Sequence, residues 1–203
     1  WRNRGSGMTL IVGLTGFIAM GKTTAATMLS RLGLRICDSD NLVHDLLNAG
    51  GAAVPGIKKE FDGVVIDGAV NRVALGQKVF GDAAALASLE QILHPLVREA
   101  QELFIKRCRA RRSPIIALDV PLLFEVKTDI ICDYTLVVSA PGFVQRQRVM
   151  ARPGMTLQRF EATLERQMPD TEKRKKADFV VCTGLGKRHT FNQLFGIIKR
   201  IRQ

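Results

Sequence analysis

The chain has 203 residues, of which 46% are hydrophobic and 24% are charged, and its formal net charge is +11. This length and composition predict one full globular domain with a substantial core and exclude a disordered chain. The apolar runs are too short or too interrupted to span a bilayer, so we expect no membrane insertion. The basic excess favours anionic partners, a class that includes nucleic acid, membrane surfaces and phosphorylated metabolites.

Residues 1–7 indicate where the domain begins, and the cysteines indicate the cellular compartment. Residues 1–7 contain no apolar segment and precede Met8, so we interpret them as an upstream extension, native or added in cloning, outside a single domain of residues 8–203. The four cysteines, which are Cys37, Cys108, Cys132 and Cys182, show no spacing typical of a disulfide framework or a zinc site. We expect free thiols, buried or half-buried, and a cytoplasmic location.

Short apolar runs that are typical of buried strands alternate along the chain with segments of helical spacing. The strands are predicted over 9–15, 34–37, 114–120, 134–140 and 178–182. Helical segments are predicted over 22–33, 40–50, about 71–112, roughly 142–176 and 191–202, with a short helix and turns between 50 and 70. This alternation predicts a mostly parallel sheet with helices on both faces, in which ligands bind beyond the carboxyl ends of the strands.

The segment GLTGFIAMGKTT at 13–24 joins the first predicted strand to the first predicted helix. It contains the phosphate-binding pattern G-x-x-x-x-G-K-[ST], formed by Gly16, Phe17, Ile18, Ala19, Met20, Gly21, Lys22 and Thr23, with Thr24 following. In this P-loop the backbone N–H groups would wrap a phosphate at the positive end of the helix. Lys22 would reach the β- and γ-phosphates and the Thr23 hydroxyl would hold Mg²⁺. The sequence therefore predicts binding of a nucleoside triphosphate.

Carboxylates and arginines at the predicted strand ends supply the remaining chemistry. Asp38 follows the second strand and is placed to accept a proton from an acceptor hydroxyl, whereas we interpret Asp40 as a helix cap. Asp119 ends the third strand, where P-loop proteins place a carboxylate that holds Mg²⁺. Arginines that could close over the triphosphate as a lid stand at positions 146, 148 and 152.

Two basic runs and one short string need separate interpretations. We interpret RCRARR at 107–112 as a solvated helix face, and a second basic run, EKRKK, stands at 172–176. The string at 126–129 lacks the leading polar residue of the guanine-reading motif Asn-Lys-x-Asp, which argues against a GTPase. This leaves a kinase with a small-molecule acceptor, or an NTPase, as the function class.

Several linked motifs together resemble those of dephospho-coenzyme A kinases, and the resemblance covers nearly all of 8–203. They are GLTGFIAMGKTT at 13–24, ICDSD at 36–40, HPLV at 94–97, LDVPLLFE at 118–125, QRQRVMAR at 145–152 and RQMPDTEKRKKADFVV at 166–181. The resemblance implies an α/β fold with a three-layer core like that of nucleoside monophosphate kinases and a five-stranded parallel sheet. It also implies a division into a core (8–50, 113–140 and 177–203), a helical acceptor-binding region (about 51–112) and a lid (about 141–176).

The same resemblance implies an activity and roles for individual residues. The reaction would be transfer of the γ-phosphate of ATP, with Mg²⁺, to the ribose 3′-hydroxyl of dephospho-CoA. Asp38 would be the catalytic base, and Arg148 and Arg152 would be the lid arginines, with Arg152 the partner of the transition state. Arg72, His94 and Pro95 would belong to the acceptor site, where His94 has a structural role; His44 and His189 are expected at the surface.

The sequence departs from the family pattern at Phe17, where a glycine is common, and at Cys182-Thr183, where Asp-Asn is common. The second departure leaves open how the adenine of ATP is held near the last strand. Two alternatives also remain: another P-loop nucleoside or nucleotide kinase, and a nucleic-acid-associated NTPase. A single Trp and a single Tyr argue against a base-stacking platform, so we expect no nucleic-acid partner. We also expect no membrane partner, and a monomer or weak homo-oligomer.

Overall fold

The structure is a computed structural model that describes residues 9–157, 160, 161, 164 and 167–203. The proposed extension at 1–7 and the first residue of the motif at 166–181 lie outside the described residues. The strands are β1 (Leu10–Gly16), β2 (Arg35–Asp38), β3 (Val65–Ile66), β4 (Ala69–Val70), β5 (Ile115–Asp119), β6 (Tyr134–Ser139) and β7 (Phe179–Cys182). The helices that lie wholly within the described residues are α1 (Lys22–Arg31), α2 (Ser39–Leu47), α3 (Val54–Glu60), α4 (Arg72–Val79), α5 (Ala83–Ala110), α6 (Gly142–Met150), α7 (Asp170–Lys176) and α8 (Lys187–Ile201).

Five of the strands form one sheet in the order β2-β5-β1-β6-β7, and β1 lies at its centre. The strand β1 pairs in parallel with β5, where Leu14 is opposite Asp119, and with β6, where Gly16 is opposite Val138. Every residue of β5 is buried, as expected for a strand covered on both faces. The predicted five-stranded parallel sheet is confirmed. Because the strands are parallel, the ends of β1 and β5 bring Gly16 and Asp119 to the same edge of the sheet.

The chain divides into two compact units, which we name the sheet unit and the helical unit. The sheet unit runs up to Cys37 and resumes over Cys108–Gln203, and the helical unit is Asp38–Arg107. The sheet unit has an apolar cluster between its strands and helices α1 and α8, with fully buried members Val12, Leu14, Ala25, Leu29, Ala117, Leu136, Val138, Val181 and Leu194. The helical unit has its own apolar cluster, which is Leu47, Ala53, Val54, Ile57, Phe61, Val64, Val70 and Leu75.

The structure corrects the sequence prediction in four places. The helical stretch predicted over roughly 142–176 is interrupted, because α6 ends at Met150 and residues 151–156 form turns and irregular backbone. The helical pattern predicted over about 71–112 is two helices, because Gly81 has a φ of 83° and Asp82 accepts hydrogen bonds from the Ala84 and Ala85 amides, which starts α5. The antiparallel hairpin of β3 and β4 was not predicted, since each strand has only two residues. The cap of α2 is Asp38 rather than Asp40, as described below.

The structure also bears on the expected free thiols and on membrane insertion. All four cysteines are free; Cys37 and Cys108 are buried, while Cys132 and Cys182 are half-buried, which confirms the predicted thiols. Burial and the nearby Asp129 carboxylate raise the pKa of Cys132 to about 12, so this thiol stays protonated at neutral pH. In the part of the chain that is described, no helix has both the length and the hydropathy needed to cross a membrane.

Candidate active site

The P-loop is a tight turn at the carboxyl end of β1, and its glycines are required by contacts and by backbone angles. A Cβ at Gly16 would lie 2.8 Å from the carbonyl oxygen of Val138 and would also clash with that residue's side chain. Gly21, the residue before α1, has a φ of 91°. Ala19 has a left-handed φ of 59°, a conformation that is unfavourable for a residue with a Cβ. The loop is therefore held in a defined, partly strained shape.

Side chains from distant parts of the sheet unit fix the backbone of the loop. The Gln167 side-chain oxygen accepts from the Ile18 amide at 3.0 Å, and the Gln145 side-chain amide donates to the Ile18 carbonyl at 2.9 Å. The Ala140 amide donates to the Met20 sulfur at 3.0 Å. Met20 and Gln145 are both buried. Sequence analysis missed both glutamines, since nothing in the local pattern shows which long side chain reaches the loop.

Lys22 and Asp119, which were predicted separately from motif and strand end, are brought into direct contact. The Lys22 ammonium donates to Asp119 Oδ1 at 2.7 Å. Asp119 is only 2% exposed, and a buried carboxylate is stabilised chiefly by such a charged partner. The pair therefore places one cation and one anion at the edge of the sheet where β1 and β5 end.

A second buried ion pair lies behind the segment that follows β5. The ammonium of Lys173, which has no exposed surface, lies 3.1 Å from Glu125 Oε1 and donates to the Pro121 carbonyl at 2.9 Å. Glu125 Oε1 also accepts from the Met168 amide at 2.8 Å, and Thr15 Oγ1 donates to the same Pro121 carbonyl at 2.9 Å. These bonds hold the turn after Asp119 against β1.

Lys173 is a buried residue within a run of charged residues. Sequence analysis grouped it with its neighbours in EKRKK, but in α7 it alone is buried. Burial lowers the pKa of its ammonium below 10.5, against the opposing attraction of Glu125 and Asp170 and with added repulsion from Lys22. Only the side chain's tertiary contacts distinguish it from Lys175 and Lys176, so the sequence contained no local signal for it.

Asp38 ends β2 and caps α2. Its Oδ1 accepts from the amides of Asp40 at 2.9 Å and Asn41 at 3.2 Å, and its Oδ2 accepts from the Asn41 side chain at 3.2 Å. The cap that we predicted at Asp40 was therefore wrong: an Ncap residue accepts from the amides two and three positions later, which Asp38 does. The bonds fix the orientation of the Asp38 carboxylate at the end of its strand.

The other residues predicted for the acceptor site lie in the helical unit. Arg72, the first residue of α4, lies with Nη1 3.0 Å from His44 Nδ1. Both side chains are exposed, and so are His94 and Pro95 on α5. The expectation that His44 and His189 lie at the surface is confirmed.

The lid arginines differ in their surroundings. Arg148, on α6, donates from Nη2 to the Thr183 carbonyl at 2.8 Å and from Nη1 to the Thr183 hydroxyl at 3.0 Å, with a longer contact of 3.5 Å to the Ala19 carbonyl. Arg146 and Arg152 are exposed. The structure thus ties Arg148 directly to the P-loop and to the residue after β7, where sequence analysis had seen only a departure from the family pattern.

Comparisons with known proteins agree on one family. The family model described as dephospho-CoA kinase matches residues 10–185. A dephospho-CoA kinase of Paramagnetospirillum magneticum is 56% identical over 164 residues, which are 81% of this chain and 77% of that protein. A crystal structure from Thermus thermophilus has a TM-score of 0.83 and 32% identity, covering 95% of this chain and 97% of that one.

A second solved structure, a dephospho-CoA kinase from Campylobacter jejuni, has a TM-score of 0.65 at 22% identity over 96% of this chain and 98% of that one, and supports the fold. The family that the linked motifs resemble is therefore confirmed, as is the P-loop kinase fold. This chain belongs to the dephospho-CoA kinase family, whose members use ATP to phosphorylate dephospho-CoA in the last step of coenzyme A biosynthesis.

Proposed function

We propose that this chain transfers the γ-phosphate of ATP to the ribose 3′-hydroxyl of dephospho-CoA by in-line displacement, with the residues assigned below. The observation that carries the proposal is the P-loop at the end of β1 with Lys22 paired to Asp119 at the end of β5. Phosphoryl transfer depends on positioning and on neutralising charge, and this edge of the sheet supplies both.

The triphosphate of ATP is bound by the P-loop, residues 16–24. Backbone N–H groups of the loop and the positive end of α1 attract the β- and γ-phosphates. The Lys22 ammonium, 2.7 Å from Asp119, turns to the phosphates when they bind. The left-handed Ala19 and Gly21 support this role, because alternating backbone conformations let successive N–H groups converge on one anion.

Mg²⁺ fits the donors at the same edge. The Asp119 carboxylate and the Thr23 hydroxyl are hard oxygen donors of the kind that Mg²⁺ prefers; Asp119 is the last residue of β5, and Thr23 lies in the first turn of α1. When bound, the ion neutralises phosphate charge. The Thr23 hydroxyl and the Asp119 carboxylate would hold it.

Asp38 is the proposed base. Its carboxylate accepts the proton of the 3′-hydroxyl as the oxygen attacks the γ-phosphorus, and ADP leaves on the opposite side. The hydrogen bonds from the Asp40 and Asn41 amides orient the carboxylate for this task. Arg72, His94 and Pro95 in the helical unit are the proposed contacts for the acceptor, within an acceptor-binding region of about 51–112.

Arg148 and Arg152 are proposed to neutralise the charge that develops on the transferring group. Arg152, which is exposed in the segment 141–176 that we propose as a lid, is the direct partner of the γ-phosphoryl group. Arg148 acts beside the P-loop, where it already contacts the Ala19 carbonyl. A cytoplasmic location and a monomer or weak homo-oligomer complete the proposal.

The test is release of ADP from Mg-ATP with and without dephospho-CoA, and with a control panel of other nucleosides, nucleotides, RNA and DNA. The proposal expects release that depends on dephospho-CoA and is indifferent to nucleic acid. Release stimulated by nucleic acid would replace the kinase with a nucleic-acid-associated NTPase. Release stimulated only by another nucleoside or nucleotide would keep the P-loop assignment and overturn the acceptor.

A further inference from the structure

Thr183, the residue after β7, is a point at which the P-loop and α6 meet. Its hydroxyl lies 2.7 Å from the Met20 carbonyl of the P-loop and accepts from Arg148 Nη1 at 3.0 Å. Its own amide donates to the Ser139 carbonyl at 2.8 Å, which continues the pairing of β7 with β6. The side chain is only 5% exposed. One residue therefore connects the loop, the helix that carries Arg148 and the end of β6.

The Thr183 hydroxyl acts both as a hydrogen-bond donor and as an acceptor. The single proton goes to the Met20 carbonyl, because the Ser139 carbonyl is farther away, at 3.4 Å. The lone pairs remain to accept from Arg148, which has no acceptor of its own to offer. A side chain of the same shape without the hydroxyl would remove the donor to the Met20 carbonyl and the nearer of the two acceptors of Arg148 Nη1.

The contact also reaches the residue next to Lys22. A Cβ at Gly21 would lie 3.1 Å from Thr183 Oγ1 and 3.3 Å from its methyl carbon, so Thr183 packs directly against the turn that precedes α1. The backbone of Arg148 is held independently by its helix, and its Nη2 also binds the Thr183 carbonyl at 2.8 Å. The hydroxyl thus contacts both the loop and the Arg148 guanidinium, while the main chain of Thr183 bonds to Arg148 and to Ser139.

We propose that Thr183 is a positioning residue for phosphoryl transfer, whose hydroxyl holds the Met20 carbonyl and the Arg148 guanidinium in the arrangement that receives the triphosphate. The inference rests on the proposed roles of the P-loop and Arg148. It assigns a role in positioning the P-loop to Thr183, which stands where an asparagine is common in the family.

The test compares Thr183→Val, which removes the hydroxyl and keeps the shape, with Thr183→Ser, which keeps the hydroxyl. Thr190→Val is the matched control: Thr190 is 2% exposed and its hydroxyl donates to the Gly186 carbonyl at 3.0 Å, in the first turn of α8. We measure unfolding by denaturant, Mg-ATP affinity by calorimetry, and kcat and KM for ATP in all variants.

Thr183→Val should lower kcat/KM for ATP by about 10- to 100-fold, the effect of leaving buried partners unpaired at a binding loop. Thr183→Ser should recover most of the loss, and Thr190→Val should keep the wild-type kinetics although it loses a buried hydrogen bond as well. If Thr183→Val and Thr190→Val lose similar stability and both keep wild-type kcat/KM and ATP affinity, Thr183 has a structural role only and the proposal is overturned. Failure of Thr183→Ser to rescue would overturn it too.

A double-mutant cycle with Arg148→Met measures the coupling between Thr183 and Arg148 in ATP affinity. Coupling predicts that Thr183→Val has a smaller effect on ATP affinity in the Arg148→Met background than in the wild type, because one of its two partners is already gone. Full additivity would contradict the proposed alignment. ATP affinity does not depend on the acceptor, so the cycle still decides the question if dephospho-CoA proves to be the wrong acceptor.

Discussion

The sheet unit and the helical unit differ in where they bury polar side chains. Among the described residues of the helical unit, the buried polar side chains are Ser39 and Gln101, which bond to each other at 3.0 Å. The sheet unit buries many more, including two charged ones, and they are Thr9, Thr15, Asp119, Thr135, Ser139, Gln145, Lys173, Thr183 and Thr190. The helical unit is held mainly by its apolar cluster.

This difference follows the chemistry that each unit is proposed to perform. Burying a polar group is unfavourable unless it is hydrogen-bonded, so a chain keeps such groups where a position must be fixed. In the sheet unit, Gln145 and Thr183 bond the P-loop, while Lys173 holds the turn after Asp119. The proposed phosphate site is therefore held by a buried polar network, whereas the exposed residues proposed for the acceptor belong to a unit built on an apolar cluster.

The largest expected effect is on the chemical step, through Asp38→Asn. An asparagine keeps the Ncap acceptor for α2, so the fold and ATP affinity should be retained, while kcat falls by about 100- to 10,000-fold because the proton acceptor is lost. Steady-state kinetics and ATP titration measure the two effects. The control is Asp40→Asn, a neighbouring exposed carboxylate, which should change kcat little. Near-normal kcat in Asp38→Asn would remove Asp38 from the base role.

The next largest effect tests the buried network, through Lys173→Met. The variant leaves Glu125 without its cation and should lower the free energy of unfolding by about 3 kcal/mol, the lower end for a broken buried pair since Glu125 is partly exposed. Urea unfolding measures it, with the exposed Lys175→Met as the control on the same helix. Adding Glu125→Gln should restore part of the loss. Equal stabilities of the Lys173 and Lys175 variants would contradict the network.

The same lysine gives a pH dependence with a defined sign. Burial lowers the pKa of Lys173 below 10.5, so the unfolded chain binds its proton more tightly than the folded chain does. As the pH rises from the folded-state pKa toward 10.5, the unfolding free energy of the wild type should rise relative to Lys173→Met, by less than about 1.4 kcal/mol per pH unit. Urea titrations of both proteins across this range measure the difference, and a falling difference would show the opposite shift.

The smallest effect lies in the helical unit, at Asn71→Ala. Asn71 caps α4 by accepting from the Val73 and Ala74 amides at 3.1 Å, directly before Arg72. Removing the cap should cost about 1 kcal/mol of stability and leave Mg-ATP affinity unchanged. Asn71→Asp, which keeps a capping oxygen, is the control. A loss of ATP affinity as large as that of Thr183→Val would break the contrast between the two units.

Sequence patterns predicted the sheet because each buried strand is a continuous apolar run, and predicted the P-loop because its chemistry needs a local order of residue types. Asp119 was found for the same reason, since the end of a parallel strand is a defined place. The cap at Asp38 was misplaced by two residues, because either aspartate can start the same helix when only spacing is known.

Local sequence patterns could not predict the buried polar network that supports the P-loop and the turn after Asp119. Lys173 is one of four consecutive basic residues, and a helix of seven residues has too few turns to show a buried face in the sequence. The bonds between Arg148 and Thr183 and between Gln145 and Ile18 join residues far apart in the chain. Such pairs are decided by tertiary packing, so they become visible only in the folded chain.

The position of the transferred phosphate tests the central claim most directly. Dephospho-CoA is converted with Mg-ATP and the wild-type protein, and the product is identified by mass and by ³¹P and ¹H NMR. The account predicts one added phosphate on the ribose 3′-oxygen and one ADP for each molecule converted. A phosphate at any other oxygen, or ADP formed with dephospho-CoA unchanged, would contradict it.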